Sequence, residues 1–452
     1  MIYDFIIQSD SNEPLYRKIY LGIRSAITNG KLKKGEKLPS IRKISRDLNV
    51  SKTTVEAAYN QLCAEGYIKS IPQSGFRVDA EFGNISEKNS DTDKRTAIKK
   101  KVYEYDFGSK SADLGNFTSW RKYVKDVLNK PYLLSSYGDV NGEPALREAL
   151  QRYAFAVRGV HTDSESIIIG AGTQYLLYLL CGRLKDKKTI ALESDSYPYA
   201  EQIFEDMGFK VIYAQSDEFG IIPRSLEISK PDIVLVNPNQ TYKSGNIMPV
   251  QRRIDIINYA KENKAVIIED DYNGELRYKS RPVPAIQSYD KAHVVYLGSF
   301  SKILLPSVRI SYMAVPKSLK ESFNLLGNKY NQSASKLEQL ALAAYISEGK
   351  LELNLRRLRK IYAEKSNIMF NSIRQSFGVR TDVTLKESAL KFALKVPYYK
   401  SDEVYAILQK NGINTVKSES EQYNLILSFS GIEVDKIESG IEKICTLLKL
   451  NN

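Results

Sequence analysis

The hydrophobic pattern of the first 80 residues predicts three short helices followed by a β-hairpin. Apolar residues recur at helical spacing at Leu15, Ile19, Ile23 and Ile27. A stretch rich in glycine and lysine then ends this first helix. Two more helical segments follow, one after Ser40, which suits the N-cap position, and one after Ser51. Two short apolar runs flank the turn at residues 72–75, so we predict one small domain at residues 1–80.

The pattern is lost between residues 81 and 104. This segment is polar and charged, contains few apolar residues and has no hydrophobic period. Such a sequence cannot bury enough apolar surface to order itself. We therefore predict a flexible linker at residues 81–104, followed by a second globular domain at residues 105–452.

Continuous apolar runs are the main feature of the second domain. They occur at residues 167–169, 189–192, 211–213, 233–236, 265–268, 294–297 and 310–315. Continuous rather than alternating apolarity is typical of strands that are buried on both faces of a mainly parallel sheet. From about residue 333 the pattern changes to long helices and then to mixed helices and strands. The predicted fold class is α/β, with a seven-stranded, mainly parallel sheet and a small C-terminal αβ subdomain.

Composition narrows the functional classes. The net charge of +13 is compatible with an anionic partner. Three widely spaced cysteines argue against a disulfide framework or a zinc cluster, and two histidines leave little room for a His-based triad or metal site. No apolar run approaches the ~20 residues that a membrane helix requires, and the N-terminus is too acidic for a signal peptide. We therefore expect a cytoplasmic protein with no membrane partner and no metal.

Three groups suited to pyridoxal 5'-phosphate (PLP) follow two of the predicted strands. Lys302 comes shortly after the run at 294–297, and Asp270 and Tyr272 come directly after the run at 265–268. PLP chemistry needs an amine, an acid for the pyridinium nitrogen and a phenol near the ring oxygen. Ligands bind at the carboxyl ends of strands in open α/β sheets. The order of these groups therefore predicts a PLP site.

The first domain resembles the GntR type of winged helix-turn-helix. The resemblance rests on Leu-Pro-Ser-Ile-Arg at 38–42, Ser-Lys-Thr-Thr-Val at 51–55 and Ser-Gly-Phe-Arg-Val at 74–78. It implies binding to double-stranded operator DNA, with the third helix in the major groove. The residues it assigns to phosphates and base edges are Arg42, Lys52, Thr53 and Thr54, and it places the wing around Gly75 on the minor-groove side. Glu56 departs from the pattern, and an acid there could read a cytosine amine or face solvent.

The second domain resembles fold-type I aminotransferases, and the whole chain resembles MocR-type regulators. The motifs that carry this likeness are Tyr-Gly-Asp at 137–139, Gly-Ala-Gly-Thr-Gln at 170–174, Glu-Asp-Asp-Tyr at 269–272 and Ser-Phe-Ser-Lys at 299–302. They appear in family order along nearly the entire chain. By this resemblance Lys302 is the Schiff-base lysine of PLP, Asp270 the partner of the pyridine nitrogen and Tyr272 the phenol that bonds the ring oxygen.

Further cofactor contacts are also implied by the resemblance. Tyr197 would stack on the cofactor, Asn237 would contact it, and Tyr137 would reach the phosphate in the neighbouring subunit of a head-to-tail homodimer. The phosphate would be held by Gly172, Thr173, Gln174, Ser299, Ser301 and Arg309. Thr173 and Gln174 open a predicted helix, whose backbone amides and dipole suit a phosphate dianion.

Two arginines that clamp the substrate carboxylate in amino-acid-responsive relatives are missing. The matching positions hold Gly431 and Tyr199, and a proline of the family is replaced by Lys243, which could substitute for one arginine. A buried carboxylate without an ionic partner is costly. We therefore expect a PLP-dependent DNA-binding regulator with no catalytic residues, whose second domain senses PLP itself or an amine-containing effector. The alternative is an active aminotransferase with an accessory DNA-binding head.

Overall fold

The computed structural model describes most of the chain and divides it into two compact units. The described residues are 14–81, 103–108, 110–184, 186–193, 197–241, 245–279, 283–325, 330–378, 381–387, 389–418 and 422–448. The first unit, here called the head, spans Met1–Lys101, and the second, here called the body, spans Val102–Asn452. Most of the predicted linker at 81–104 lies outside the described residues. At its end, the Tyr103 hydroxyl donates to Gln409 Oε1 of the body at 2.6 Å.

The head consists of three helices and a hairpin. They are α1 (Leu15–Thr28), α2 (Ile41–Asp47), α3 (Lys52–Ala64), β1 (Ile68–Ile71) and β2 (Gly75–Val78). Ser40 and Ser51 are the N-caps of α2 and α3, and their Oγ atoms accept from the backbone N–H of Lys43 and Thr54, respectively. The fully buried Tyr59 of α3 donates to the carbonyl of Pro39 at 2.8 Å and so ties α3 to the loop before α2.

The body alternates helices and strands. Its helices are α4 (Phe117–Leu128), α5 (Pro144–Arg158), α6 (Thr173–Cys181), α7 (Pro198–Asp206), α8 (Pro223–Ser229), α9 (Val250–Asn263), α10 (Lys317–Asn324), α11 (Lys336–Ser347), α12 (Lys350–Phe377), α13 (Ser401–Lys410) and α14 (Asp435–Leu447). Its strands are β3 (Tyr105–Asp106), β4 (Ile167–Gly170), β5 (Thr189–Leu192), β6 (Lys210–Tyr213), β7 (Ser216–Asp217), β8 (Gly220–Ile221), β9 (Ile233–Val236), β10 (Val266–Asp271), β11 (Val294–Ser299), β12 (Ser311–Ala314), β13 (Val383–Lys386), β14 (Lys391–Leu394), β15 (Ile413–Asn414) and β16 (Leu425–Ser428). Among the described residues, no helix combines the length and the apolar content that a membrane crossing requires.

The main sheet of the body has the predicted seven strands. Their spatial order is β4-β12-β11-β10-β9-β5-β6. Strands β11, β10, β9, β5 and β6 pair in parallel, whereas β12 is antiparallel to both β11 and β4. Strands β10 and β11 continue past their apolar runs, because the ladder between them extends to the pairing of Asp271 with Gly298. Polar residues of β10 are therefore held rigidly at the edge where ligands bind.

A smaller sheet lies in the C-terminal part of the body. Strands β13, β14 and β16 form it in that order, and all pairs are antiparallel. Lys386 lies opposite Lys391 in the β13–β14 pair, and Lys391 lies opposite Ser428 in the β14–β16 pair. Strand β3, close to the start of the body, pairs in parallel with β15. The start and the C-terminal part of the body are therefore one packed structure.

Candidate functional site

A cavity of about 320 Å³ opens at the carboxyl ends of the parallel strands, a size suited to a small ligand. Ten of the residues predicted to bind the cofactor line it: Gly172, Thr173, Gln174, Tyr197, Asn237, Asp270, Tyr272, Ser299, Ser301 and Arg309. They come from six separate segments of the chain. The structure also brings Gln240, Ala389 and Lys391 to the wall of this cavity, and the sequence did not point to them.

One end of the cavity is suited to a phosphate. Helix α6 begins at Thr173, and its first backbone N–H groups have no partners within the helix. Gly172 precedes it with φ of +97°, and a Cβ there would lie 2.5 Å from Arg309 Nη2, so only glycine lets the guanidinium come this close. Arg309 itself is left-handed, with φ of +54°, a strained conformation that functional sites often hold. Ser299 and Ser301 add two hydroxyls 3.2 Å apart.

Of the three consecutive acids at the end of β10, only Asp270 faces the cavity. Asp270 lines the cavity, whereas its neighbours Glu269 and Asp271 point to the opposite face of β10, because successive side chains in a strand alternate. Glu269 is buried and accepts from the backbone N–H of Ile286 and Gln287, and burial raises its pKa to about 7. Asp270 therefore remains as the acid that can face a pyridinium nitrogen.

The ion pair between Arg158 and Asp271 anchors the end of β10. Arg158 Nε lies 2.6 Å from Asp271 Oδ2, and both side chains are completely buried. The same carboxylate accepts from Asn239 Nδ2 at 2.6 Å and from the Tyr296 hydroxyl at 2.7 Å. Every partner is a buried donor, so the carboxylate is well compensated despite its burial. This network fixes the backbone that carries Asp270.

Two tyrosines lie near Asp270 in the cavity wall. Burial, with a contribution from Asp270, raises the pKa of Tyr197 to about 12. Its ring meets the ring of Tyr199 edge to face, with 5.3 Å between centroids. Burial also raises the pKa of Tyr272. Both phenols are therefore neutral hydrogen-bond donors at physiological pH.

Lys302 is buried next to the cavity rather than in its lining. Lys302 is the next residue after Ser301, which does line the cavity. Its Nζ donates to the carbonyl of Ser111 and to Ser430 Oγ, the latter at 2.8 Å. Burial, together with the positive charge of Lys391, lowers the pKa of Lys302 to about 8. The neutral amine, which an aldehyde requires as its nucleophile, is therefore still the minor form at pH 7, but far more abundant than in a lysine of pKa about 10.4.

We expect capture of PLP by the cofactor-free protein to rise with pH, reach half its maximum near the Lys302 pKa of about 8 and then level off. Only the neutral amine attacks an aldehyde, and an ordinary lysine of pKa about 10.4 would keep gaining reactivity for two more pH units. Stopped-flow mixing with PLP between pH 6 and 11 measures this, with N-acetyl-lysine as the reference for the titration of PLP itself. A rate that still climbs above pH 10 would contradict the assigned environment.

Tyr137 and Gly431, two positions singled out in the sequence, are not part of the cavity lining, and a third falls on undescribed residues. Tyr137 is 90% exposed. Gly431 has φ of +83°, and a Cβ there would lie 2.1 Å from Ser111 Oγ, so an arginine could not replace it without a shift of the backbone. Lys243 lies outside the described residues. Of the residues that the sequence left unnoticed, Lys391 had one signal, since it is a single charge inside the run Ala-Leu-Lys-Phe-Ala-Leu at 389–394.

The predicted DNA-contacting residues form an exposed polar surface on the head. Arg42, Lys52 and Thr53 are exposed, and Thr54 is half-buried at the start of α3. Ser51 Oγ lies 2.8 Å from Thr53 Oγ1, so the first turn of α3 is rigid. Gly75 opens the second wing strand with φ of +89°, a conformation that favours glycine. A helix N-terminus with hydroxyls and a lysine is suited to phosphate contacts.

Known proteins match both units. The family described as aminotransferase class I and II matches residues 98–444, and the bacterial regulatory proteins of the gntR family match residues 15–78. The HTH-type transcriptional regulator YdeL of Bacillus subtilis is 34% identical over 97% of each chain. The probable rhizopine catabolism regulatory protein MocR of Rhizobium meliloti is 28% identical over 97% of this chain and 94% of its own. An archaeal alanine:glyoxylate aminotransferase shares the fold, with a TM-score of 0.69, 21% identity and coverage of 78% of this chain and 92% of its own.

Fold and cavity together define a protein with an aminotransferase-like body that holds PLP. The cavity fits this cofactor, because it combines a phosphate site at Gly172 and Arg309, an acid at Asp270 and a nearby amine at Lys302. The chain belongs to the MocR-type transcriptional regulators, in which a GntR-type DNA-binding head is joined to such a body. The recognition made from the sequence motifs is confirmed.

Proposed function

We propose that this protein binds operator DNA in the cytoplasm as a homodimer and that its body reports the presence of PLP or of an amine-containing effector without completing transamination. The domain limits at 1–80 and 105–452 and the site residues named above are part of this proposal. The fully exposed phenol of Tyr137 supports a partner subunit at that surface, because this residue has the family position of a phosphate contact across the dimer.

One observation carries the proposal: the cavity keeps the residues that suit the cofactor, but Gly431, at the position of one carboxylate-binding arginine of the family, has no room for a side chain. Gly431 is left-handed and packed against Ser111, and Tyr199 supplies a 59% exposed phenol in place of the second arginine. Transamination requires the substrate to be held in one orientation relative to the catalytic amine. Without either bidentate clamp, an amino acid is not aligned in the manner that an aminotransferase uses.

The cofactor, when bound, supplies an aldehyde that an amine can occupy and an electron-withdrawing ring. The protein supplies the rest. Arg309 and the first turn of α6 would hold the phosphate, and Asp270 would keep a proton on the ring nitrogen. Lys302 offers its neutral amine, and Ser430 Oγ and the Ser111 carbonyl orient it. Because Lys302 Nζ donates to the Ser111 carbonyl, a change at this amine would be passed on to the packing around Ser111.

The test uses the full chain loaded with PLP. Fluorescence anisotropy with duplex DNA from the region upstream of the gene should show saturable binding that a subset of amines strengthens or weakens. Spectra taken with the same amines should show negligible conversion of PLP to pyridoxamine phosphate. Rapid conversion by a common amino acid would instead establish the aminotransferase alternative, and the absence of DNA binding would remove the regulatory function.

We expect Lys52→Ala to weaken DNA binding on specific and nonspecific duplexes alike, because Lys52 is an exposed cation in the first turn of α3. Loss of one phosphate contact should reduce the slope of log K against log salt concentration by about one unit. Anisotropy titrations over a range of salt concentrations measure this slope. Lys410→Ala, which removes an exposed cation from the body, is the matched control and should leave the slope unchanged.

A further inference from the structure

Lys391 is a cation in the wall of the cofactor cavity, and the residues that the structure describes give it no anionic partner. It is the first residue of β14, and its side chain forms part of the cavity wall with Asp270 and Tyr272. Within the part of the chain that the structure describes, the Lys391 ammonium makes no hydrogen bond or ion pair, and the charge that acts on it most strongly is another lysine. Lys391 is half-buried, and a charge that is partly removed from water is costly unless it is paired. An anionic ligand in the cavity would therefore stabilise the charge of Lys391.

The residues around Lys391 make an anionic ligand still more favourable. Lys386 lies directly opposite it in the β13–β14 ladder, and like charges in that position repel. The nearest acid in sequence, Glu387, is already used. It pairs with Arg277 at 2.8 Å and accepts from the backbone N–H of Tyr278 and Lys279 at 2.6 Å each. The acid of this hairpin is therefore engaged away from Lys391 and does not neutralise its charge.

Lys391 also lies close to the position that the missing arginine would have used. Its ladder partner on β16 is Ser428, and the chain continues from there to Ser430, which hydrogen bonds to Lys302, and to Gly431. An anion bound by Lys391 is therefore near the amine that holds the cofactor. A ligand that carries both an amino group and a carboxylate could reach both points.

We propose that Lys391 binds the carboxylate of an amino-acid effector whose amino group meets the cofactor, and that it takes over the binding role of the missing arginines. This inference rests on the proposed function and names its ligand class. An ammonium is a compact point charge with rotatable donors, whereas a guanidinium is a rigid fork. Lys391 therefore anchors the carboxylate without imposing the single orientation that transamination needs, so the ligand is bound and not converted.

The first experiment compares amino acids with the amines that remain when their carboxylate is removed. β-Alanine is paired with ethylamine, and 4-aminobutanoate with propylamine, and calorimetry on the PLP-loaded chain gives each affinity. At least one amino acid should bind roughly tenfold or more tightly than its partner amine, as expected for a hydrogen bond to a charged group. In Lys391→Met this preference should fall to about twofold or less, while Lys391→Arg retains it and the exposed Lys395→Met leaves it unchanged.

The second experiment needs no variant. Trace acetylation of the wild-type chain, read by peptide mass spectrometry, should show Lys391 protected by the amino acid and not by its partner amine, relative to Lys395. Failure of the chain to take up PLP would remove the proposed function and this inference together. Normal uptake of PLP with equal affinity for amino acids and amines, an undiminished preference in Lys391→Met, or unprotected Lys391 would overturn this inference alone.

Discussion

Lys302→Ala is expected to lose all of the visible absorbance of lysine-bound PLP. Lys302 is the buried amine beside the phosphate site, and its pKa, lowered to about 8, gives it a much larger neutral fraction than an ordinary lysine has. An alanine leaves no group at that position that could attack the aldehyde. Absorbance spectra before and after dialysis measure the loss, and borohydride reduction of the wild type followed by peptide mapping should mark the peptide that contains Lys302.

A second amine in the cavity wall makes this a demanding test. Lys391 is a second amine in the wall, so residual colour in Lys302→Ala would have to be mapped after reduction. A mark on Lys391 in the variant would identify it as a surrogate, whereas a mark on Lys391 in the wild type would show that the assignment of Lys302 is wrong. Lys395→Ala, which removes an exposed amine, should retain full absorbance.

The second large effect is expected for Arg158→Met, which should lower the free energy of unfolding of the body by about 3–5 kcal/mol. Methionine fills similar space but leaves the Asp271 carboxylate buried without its cation. Burial and Asp271 together already raise the pKa of Glu275 to about 7, and the positive charge of Arg158 opposes that shift. Its loss therefore leaves two buried carboxyl groups without the positive charge of Arg158, although Asp271 keeps its hydrogen bonds to Asn239 and Tyr296.

Urea denaturation followed by tryptophan fluorescence measures this effect on the body alone. The chain has a single tryptophan, and Trp120 is buried in the body at 4% exposure. Arg152→Met is the matched control, because Arg152 is an exposed residue on the same helix. It should change the free energy by no more than about 0.5 kcal/mol. Equal stability of the two variants would mean that the buried pair does not stabilise the end of β10.

The sequence alone determined the features that depend on neighbours along the chain. The serine caps of α2 and α3 are local, because each hydroxyl meets a backbone amide three residues later. The seven strands were predicted from uninterrupted apolar runs, which burial on both faces produces in the inner strands, whereas the edge strand β6 is only partly buried. Asp270 and Tyr272 were predicted from their place at the end of a strand, since parallel strands deliver their carboxyl ends to one edge of the sheet, and the other eight cavity residues from the resemblance to fold-type I aminotransferases.

Only the tertiary structure decided the groups whose partners are distant in sequence. Lys302 is oriented by Ser111 and Ser430, which are 191 and 128 residues away. Arg158 and Asp271 are 113 residues apart, and no local period relates them. Lys391 is a charged residue within an apolar strand, and only the tertiary structure shows that it lies in the wall of the cavity. The physical reason is that caps and periodicity act over a few residues, whereas ion pairs and cavities depend on where separate segments meet.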